Sequence, residues 1–432
     1  MYGISSVSLT PGITALEYAQ RRSKLASELP NGAIAILEAT DVKWKSHDVF
    51  YDFHQNSNFF YLTGKDATGK DHTFYLYVRE KDAKAEQWEG VRSGTQAAVD
   101  IFNADETGDI TSLSTHLKSI LSSASKVYTD IPTTKKPDSS FLSRFISPST
   151  ASTPFASLLG TTKTSPLNPL LNNLRAIKSP AELSLLRTVG QRSGRALTSA
   201  IAQSWPSESS LHNHLSYQFR ASGCDKDAYI PVVAGGRNAS IIHYTSNNAL
   251  LKCDDMVLVD AGGQYGGYVA DITRTWPVSG KFTTAQKDLY NAVLAVQRHC
   301  VSLCRANAGT SLDDLHKIAE SLLQQNLSDI GFERDYTGKI RNFIRLFPHH
   351  VGHYVGLDVH DTPGLSRKKR LEEGMCVTVE PGVYVPDEEE FPPQFRGMGV
   401  RVEDSVGVGE EGPVVFSTEA VKEVEDIEAL RR

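Results

Sequence analysis

The 432-residue sequence lacks any apolar run that approaches the roughly 20 residues a helix needs to cross a bilayer, so we expect no membrane partner. It also lacks CxxC pairs, and its five cysteines are scattered along the chain. An odd number of unpaired cysteines predicts free thiols and a reducing compartment. Basic residues are not in excess, and a formal charge of −6 gives no general attraction for phosphate backbones. We therefore expect no nucleic-acid partner.

The first dozen residues contain no arginine and no apolar segment of the kind found in signal peptides. We expect neither a signal peptide nor a transit peptide at this end. Two alternatives stay open: the protein is cytoplasmic, or a targeting segment has already been removed from this form.

A chain of this length is too long for one ordinary core, which favours two domains. The first third reads as a mixed α/β unit. A helix is predicted over residues 15–29, and strands are predicted at residues 33–37, 59–62 and 74–78.

A polar stretch rich in serine, threonine and proline, residues 147–169, is typical of a linker. Beyond it, Ser179, Pro180 and Glu182 form a helix start with a serine cap and a glutamate that reaches back to it. A long helix should then run toward Ala202, with further helices over residues 284–306 and 311–325. Because helices alternate with hairpins, we predict an α+β fold, with domains at 1–165 and 179–432 joined by a linker at 166–178.

Four carboxylates occupy places where sequence normally excludes them, each at or just after an apolar, strand-like run: Asp260, Asp271, Glu380 and Glu403. Such groups are costly to bury unless something cationic meets them. If they converged unpaired, each pair about 4 Å apart would repel by roughly 4 kcal/mol at an effective dielectric constant of 20. Two divalent cations would balance all four charges. The pattern therefore predicts a two-metal hydrolytic site.

Histidines supply the neutral ligand that this prediction needs. The segment from His349 to His360 holds four of them, and imidazole is both a borderline metal ligand and a proton shuttle near neutral pH. For His350 we favour a hydrogen-bonded core position. For His353 and His360, the glycines at 352 and 356 suggest a close backbone approach to something bound.

Each piece has a plainer interpretation when taken alone. Asp260 and Asp271 flank a glycine-rich segment that could be a simple turn, or a hairpin that brings them onto neighbouring strands. Arg401 and Glu403 could be a cross-strand surface pair, or a guanidinium supporting a metal-binding carboxylate. Taken jointly, the pieces favour the metal site.

Oxygen-rich ligation without cysteine favours a hard or borderline ion, with Mn²⁺ first and Co²⁺, Zn²⁺ or Fe²⁺ as alternatives. Two such ions would activate a water and stabilise the oxyanion of peptide hydrolysis. Glu380 is the candidate to accept the proton of that water as well as to bind metal. His360 and His243 are candidates to contact substrate, with His243 expected on an apolar strand.

The residues resemble the aminopeptidase P and prolidase family, whose catalytic domain has the pita-bread fold of creatinase and methionine aminopeptidases. Asp260, Asp271, His353, Glu380 and Glu403 match its metal ligands in type, order and approximate spacing. The motifs that carry the likeness are IIHYT, VDAG, ADITRTW, GHYVGLDVHD, TVEPGVY and GVRVED, with residues 51–64, 87–90 and 178–182 similar to its N-terminal half.

The resemblance implies an aminopeptidase that takes peptide or protein N-termini as substrate. It assigns the five matching positions to two metals, and His243, His349 and His360 to substrate contact or proton transfer. Arg401 and Tyr384 match a pair that supports Asp260. Trp88 matches a position that approaches a neighbouring subunit, which implies a homodimer.

Residues 361–363 and 386–391 most resemble the mitochondrial branch of the family, which includes intermediate cleaving peptidase and mitochondrial Xaa-Pro aminopeptidase. The resemblance thus implies a mitochondrial protein, with a cytoplasmic one as the alternative. A prolidase cleaving Xaa-Pro dipeptides is the second hypothesis, because both activities use the same metals. A catalytically inactive, protein-binding pita-bread module is a third, from another class.

Overall fold

The computed structural model of the chain describes residues 8–63, 72–132, 158–160 and 162–431. It divides into two compact units, Met1–Leu174 and Arg175–Arg432. The predicted boundaries at 165 and 178 stay predictions. Residues 147–157 of the polar stretch lie outside the described residues. Part of the predicted linker is regular, since Asn168–Ala176 forms a helix.

The first unit mixes helices with short, mostly parallel strand pairs. Ala33–Ile36 pairs in parallel with Lys126–Thr129, which pairs in parallel with Thr164–Ser165, and Tyr75–Val78 pairs in parallel with Glu106–Asp109. Two small antiparallel pairs lie elsewhere in the unit. The remaining bounds are the strands Ser8–Thr10, Ile13–Thr14, Trp44–Ser46 and Val49–Phe50 and the helices Ala15–Glu28, Ser57–Leu62, Ala83–Glu89, Gly94–Asp100 and Leu113–Ser123.

The strand predicted at residues 59–62 is wrong, because the segment Ser57–Leu62 is a helix. Asn56 caps it by accepting a hydrogen bond from the backbone of Phe59 at 3.0 Å. Arg21 and Arg22 donate to the carbonyl oxygens of its last two residues. A short apolar run shows neither the periodicity of a helix nor that of a strand. This cap and these two buried guanidinium groups therefore decide the conformation of the segment.

The second unit is built from antiparallel strands packed against long helices. Met256–Asp260 lies between Val232–Gly235 and Thr273–Pro277, and Asp404–Val408 lies between Cys376–Val379 and Pro413–Val415. Two further antiparallel groups are formed by Gly382–Tyr384 with Gly399–Arg401 and by Lys226–Asp227, Gly263–Tyr265 and Tyr268–Val269. The helices are Pro180–Ile201, Glu208–Ala221, Thr284–Ser302, Leu312–Asp329, Phe343–Leu346 and Val424–Ala429, with 3-10 turns at Gly236–Ser240 and Ala306–Ala308.

The first long helix of this unit begins where its cap predicts. Ser179 accepts a hydrogen bond from the backbone of Glu182, and the Glu182 carboxylate accepts one from the backbone of Ser179. Gly190 and Gly194 let the helix approach a loop closely, since a Cβ atom at Gly190 would lie 2.5 Å from the carbonyl oxygen of Phe416. The helix therefore packs backbone to backbone, which no apolar side chain at these positions would allow.

Among the described residues, no helix combines the length and apolar character that a bilayer crossing requires. All five cysteines are free thiols, and all but Cys253 are buried. The prediction of free thiols is confirmed.

Candidate active site

The two aspartates of the site are brought together by one strand pair. Asp260 is the last residue of its strand and pairs with Thr273, which begins the neighbouring strand. Asp271 lies two residues before Thr273, in the segment that joins the hairpin to that strand, so it is not itself in a strand. The glycine-rich segment between them forms a hairpin of its own, Gly263–Tyr265 with Tyr268–Val269.

Tyr229 links these two aspartates, and sequence reasoning missed it. Its hydroxyl lies 2.5 Å from Oδ1 of Asp260 and 2.6 Å from Oδ1 of Asp271. A hydroxyl has one proton, so it donates to one carboxylate at a time. Burial and then the two aspartates hold the pKa of Tyr229 well above its ordinary value. No local pattern marks Tyr229, because its partners lie 31 and 42 residues away.

His353 and Glu380 are placed side by side by backbone pairing. Thr378 donates its N–H to the carbonyl of His353 at 2.8 Å, and Glu380 donates its N–H to the carbonyl of Val351 at 2.8 Å. The segment 351–353 therefore runs along the strand Cys376–Val379. Nε2 of His353 lies 3.5 Å from Oε1 of Glu380 and 3.3 Å from Oδ2 of Asp271.

The glycine at 352 serves this pairing. A Cβ atom there would lie 2.0 Å from the carbonyl oxygen of Thr378, and one at Gly356 would lie 2.5 Å from Oδ2 of Asp361. The close approach that the structure shows at these two glycines is to the protein's own chain. The expected close approach to a bound group stays a prediction.

Asp271, His353 and Glu403 present ligand atoms that all lie within 4.8 Å of one another. Glu403 reaches this point because its N–H donates to the carbonyl of Thr273 at 3.1 Å. Nδ1 of His353 donates to the carbonyl of Tyr354 at 3.0 Å, which leaves Nε2 as the ligand atom of the neutral ring. Three donors from three separate segments thus converge on one point.

Three of the four predicted ligand carboxyl groups have raised pKa values, mainly because they are buried. Burial, opposed by Arg401, raises the pKa of Asp260 to about 6. Burial, opposed by His353 and Arg401, raises the pKa of Glu380 to about 7. Burial and then Asp271 and Glu380 raise the pKa of Glu403 well above its ordinary value.

The pKa of the His353 imidazole is raised as well. Burial disfavours its cation, yet the hydrogen bond with Asp271 and the charge of Glu380 raise the pKa of His353 to about 9. The His353 contacts in turn offset burial and keep the pKa of Asp271 below its ordinary value. Three of the four carboxyl groups therefore hold their protons more tightly than they would in water.

Arg401 reaches two of the predicted ligands, one of them directly and the other through a hydroxyl group. Its Nη2 donates to Oδ2 of Asp260 at 2.5 Å, and its Nε donates to the Thr273 hydroxyl at 2.9 Å. That hydroxyl donates its own proton to Oε2 of Glu403 at 2.6 Å. The guanidinium thus contacts Asp260 directly and Glu403 through Thr273. Sequence reasoning missed Thr273, whose hydroxyl is defined by partners far along the chain.

A second chain of hydrogen bonds runs from Arg401 to His349. Nη1 of Arg401 donates to the Tyr384 hydroxyl at 2.8 Å, and that hydroxyl lies 2.8 Å from Nε2 of His349. Nδ1 of His349 donates to the carbonyl of His350 at 2.9 Å, so Nε2 accepts the Tyr384 proton. Burial and then Arg401 lower the pKa of His349 to about 3, which keeps the ring neutral.

The remaining predicted histidines are exposed. The His360 ring packs edge-on against the His353 ring, with 4.4 Å between centroids. Burial and then the charge of His353 lower the pKa of His360, with a smaller contribution from His243. The strand predicted around His243 is wrong: residues 241–245 follow the 3-10 turn Gly236–Ser240 and belong to no strand. Ile241 and His243 are exposed there, so the apolar run does not serve a sheet.

This fold and this group of ligands define a metallopeptidase, and the chain belongs to metallopeptidase family M24. The model of that family matches residues 184–410, and the model of the aminopeptidase P N-terminal domain matches residues 18–128. The predicted family, the two-domain fold with a pita-bread catalytic domain, and the prediction of a metallo-aminopeptidase are confirmed.

The chain is 43% identical to intermediate cleaving peptidase 55 of Saccharomyces cerevisiae, over 98% of this chain and 86% of that protein. It is 36% identical to human Xaa-Pro aminopeptidase 3, over 98% of this chain and 87% of that protein. A crystal structure of the yeast Icp55 that lacks its N-terminal 58 residues is similar with a TM-score of 0.88 and 42% identity, covering 99% of each chain.

Proposed function

We propose that this chain is a dinuclear metal-dependent aminopeptidase that removes one residue from the N-terminus of a peptide or protein. The proposed metal ligands are Asp260, Asp271, His353, Glu380 and Glu403. The observation that carries the proposal is the convergence of Asp271, His353 and Glu403 within 4.8 Å at a buried site. Four carboxylates and one imidazole fit two divalent cations, because their charges would balance.

The donor set also supports the choice of metal. Carboxylate oxygens dominate and cysteine is absent from the group, so Mn²⁺ is the first choice, with Co²⁺, Zn²⁺ or Fe²⁺ as alternatives. When bound, a pair of such ions lowers the pKa of a water and polarises the scissile carbonyl.

The residues of the chain would orient the substrate and move protons around that pair of ions. Glu380 is the proposed proton acceptor for the attacking water, since its Oε1 lies 3.5 Å from Nε2 of His353, beside the converging acidic residues. His349 is held by Tyr384 and is neutral, so it presents no positive charge that would repel the substrate amine. His360 and His243 are exposed and are proposed to contact the substrate.

A peptide panel tests the activity and its specificity. The metal-loaded protein would be incubated with Xaa-Pro dipeptides, with longer peptides carrying proline second, and with peptides beginning with tyrosine, leucine or phenylalanine. Release of one residue from the longer peptides supports an aminopeptidase of the Xaa-Pro or intermediate cleaving type. Cleavage of dipeptides alone would make it a prolidase, and no cleavage of any peptide would contradict the proposal.

Location and assembly are further proposals. A relative from Arabidopsis thaliana, 35% identical over 98% of this chain, is named as a mitochondrial intermediate cleaving peptidase 55, which supports a mitochondrial location. The resemblance at Trp88, whose side chain is 82% exposed, supports a homodimer. Fractionation of cells that express the full gene tests the first, and light scattering of the purified protein tests the second. A cytoplasmic protein or a monomer would contradict them.

A further inference from the structure

The loop from His353 to Asp361 carries two histidines of the proposed site and is closed by one carbonyl group. The carbonyl oxygen of Tyr354 accepts a hydrogen bond from Nδ1 of His353 at 3.0 Å and another from the N–H of Asp361 at 2.8 Å. The two ends of the loop therefore share one acceptor. The position of Asp361 is tied to that of a proposed metal ligand.

The Asp361 carboxylate is buried between two cationic side chains from the segment that precedes the helix Pro180–Ile201. Oδ1 accepts from Nη2 of Arg175 at 2.5 Å, and Oδ2 accepts from Nζ of Lys178 at 2.9 Å. Nη2 of Arg175 also donates to Oδ2 of Asp358 at 2.7 Å. Side-chain exposures of 4% for Arg175 and 1% for both Lys178 and Asp361 keep water from the two Asp361 pairs, whereas the Asp358 side chain is 34% exposed. Two positive and two negative charges balance in this ionic clamp.

The same carboxylate organises the loop backbone. Its Oδ1 accepts the N–H of Asp358 at 3.3 Å, and the carbonyl of Asp358 accepts the N–H of Gly356 at 3.0 Å. A Cβ atom at Gly356 would collide with Oδ2 of Asp361. Thr362, the next residue along, is buried with φ at 49°, a conformation that persists in a β-branched residue only where its surroundings impose it.

His360 depends on this loop for its orientation. Among the described residues it has a ring contact with His353, but no hydrogen bond holds its imidazole. It is exposed, and it immediately precedes the clamped Asp361. A side chain without its own polar anchor takes its direction from the backbone that carries it.

We infer that Asp361, held by Arg175 and Lys178, is a positioning residue that sets the orientation of His360 at the substrate side of the metal site. This inference rests on the proposed function. Asp361 contacts neither substrate nor reacting atoms. Because small misplacements at a reacting centre cost up to about 100-fold in rate, we expect Asp361→Asn to lower kcat/KM by about 10- to 100-fold. Bound metal should stay at the wild-type level.

A double-mutant cycle separates positioning from general destabilisation. The four proteins are the wild type, His360→Ala, Asp361→Asn and the double variant. If Asp361 acts through His360, Asp361→Asn should cost at least about tenfold in the wild-type background and less than about threefold once His360 is absent. The fall in Tm should be equal in the two backgrounds. Equal losses of kcat/KM in both backgrounds would overturn the inference.

Hydrogen exchange supplies a readout that does not need activity. Asp361→Asn should speed exchange of the Gly356 and Asp358 amides by at least about tenfold. The Asp361 carboxylate accepts the Asp358 amide directly and holds the Gly356 amide through the Asp358 carbonyl, and the variant removes its charge. Unchanged exchange in a folded variant would overturn the inference and leave the proposed function standing. Faster exchange in the variant, together with a wild-type protein that cleaves no peptide, would refute the proposed function alone.

A milder variant covers the case in which Asp361→Asn does not fold. Arg175→Lys keeps the charge but loses the reach to both aspartates, and it should show the same dependence on His360 and the same faster exchange. The matched control is Arg298→Lys, in a surface pair with Glu423. That control should keep wild-type kcat/KM and exchange. An Arg175→Lys protein that matches the control in both measurements would count against the clamp.

Discussion

At the level of single residues, Asp271 offers the sharpest test of the ligand set. Asp271→Asn removes one ligand and also one of the charges that repel Glu380 and Glu403. We expect hydrolysis to fall by more than about 100-fold, since even supporting residues of metal sites cost 10- to 100-fold. The Tm of the metal-free protein should not fall. Turnover at the wild-type rate would refute the assignment.

Tyr229 provides a second test at this scale. Tyr229→Phe removes the hydroxyl shared by Asp260 and Asp271 and leaves the ring in place. We expect metal affinity to fall by about 10- to 100-fold, because the two carboxylates lose their common donor. Titration with Mn²⁺ followed by calorimetry measures this. Tyr217→Phe, at an exposed tyrosine, is the control and should bind metal as the wild type does.

The raised pKa values predict how metal binding depends on pH. In the metal-free protein the pKa of His353 is raised to about 9, so its imidazole holds a proton at pH 7.5, and burial raises the pKa of Glu403 well above its ordinary value. Metal needs the deprotonated ligands, so its affinity should rise with pH by about tenfold per unit for each proton displaced. Calorimetry in two buffers of different ionisation enthalpy counts those protons. Release of none would contradict the assignment of these ligands.

At the level of elements, Asp404 holds a strand, a helix and a loop together. Oδ1 accepts from Nη2 of Arg274 at 2.7 Å, and Oδ2 accepts from Gln297 at 2.8 Å and from Lys422 at 2.5 Å. Arg274 also donates to the carbonyl oxygen of Glu403. The strand Asp404–Val408 is thereby fixed next to a proposed metal ligand.

Asp404→Asn leaves Arg274 buried without its counter-charge. We expect the free energy of unfolding in the metal-free protein to fall by about 3–5 kcal/mol in urea at pH 7. Because its cations hold the pKa of Asp404 far below its usual range, the wild type keeps this stabilisation above about pH 4 and loses it as pH falls. The difference between the two proteins should shrink in acid. Ser417→Ala, which removes a single neutral donor to Asp404, should cost only about 1 kcal/mol, and an equal effect of the two changes would contradict this role.

Elements with local signals were predictable from the sequence. Ser179 and Glu182 mark a helix start because the cap and its reciprocal bond lie within one turn. The strand at residues 59–62 failed because Arg21 and Arg22, about 40 residues earlier, decide the conformation of Ser57–Leu62. The contact that requires a glycine at 352 could not be predicted for a similar reason, since its neighbour Thr378 lies on the separate strand Cys376–Val379.

At the level of the whole molecule, residue types that are costly to bury could be recognised without a structure. Four carboxylates and His353 stand out because few other roles explain them. Three supporting residues could not be recognised: Tyr229, Thr273 and Asp361 are ordinary residues locally, and the charged or acidic partners that define them lie from 31 to 186 residues away. Such residues gain their roles only when antiparallel strands from distant segments pair.

Anomalous diffraction from Mn²⁺-loaded crystals is the most direct test of the central claim. We expect two peaks about 3.5–4 Å apart, ligated by Asp260, Asp271, His353, Glu380 and Glu403. A single ion, or ions bound by other side chains in an enzyme that still cleaves peptides, would contradict the two-metal site.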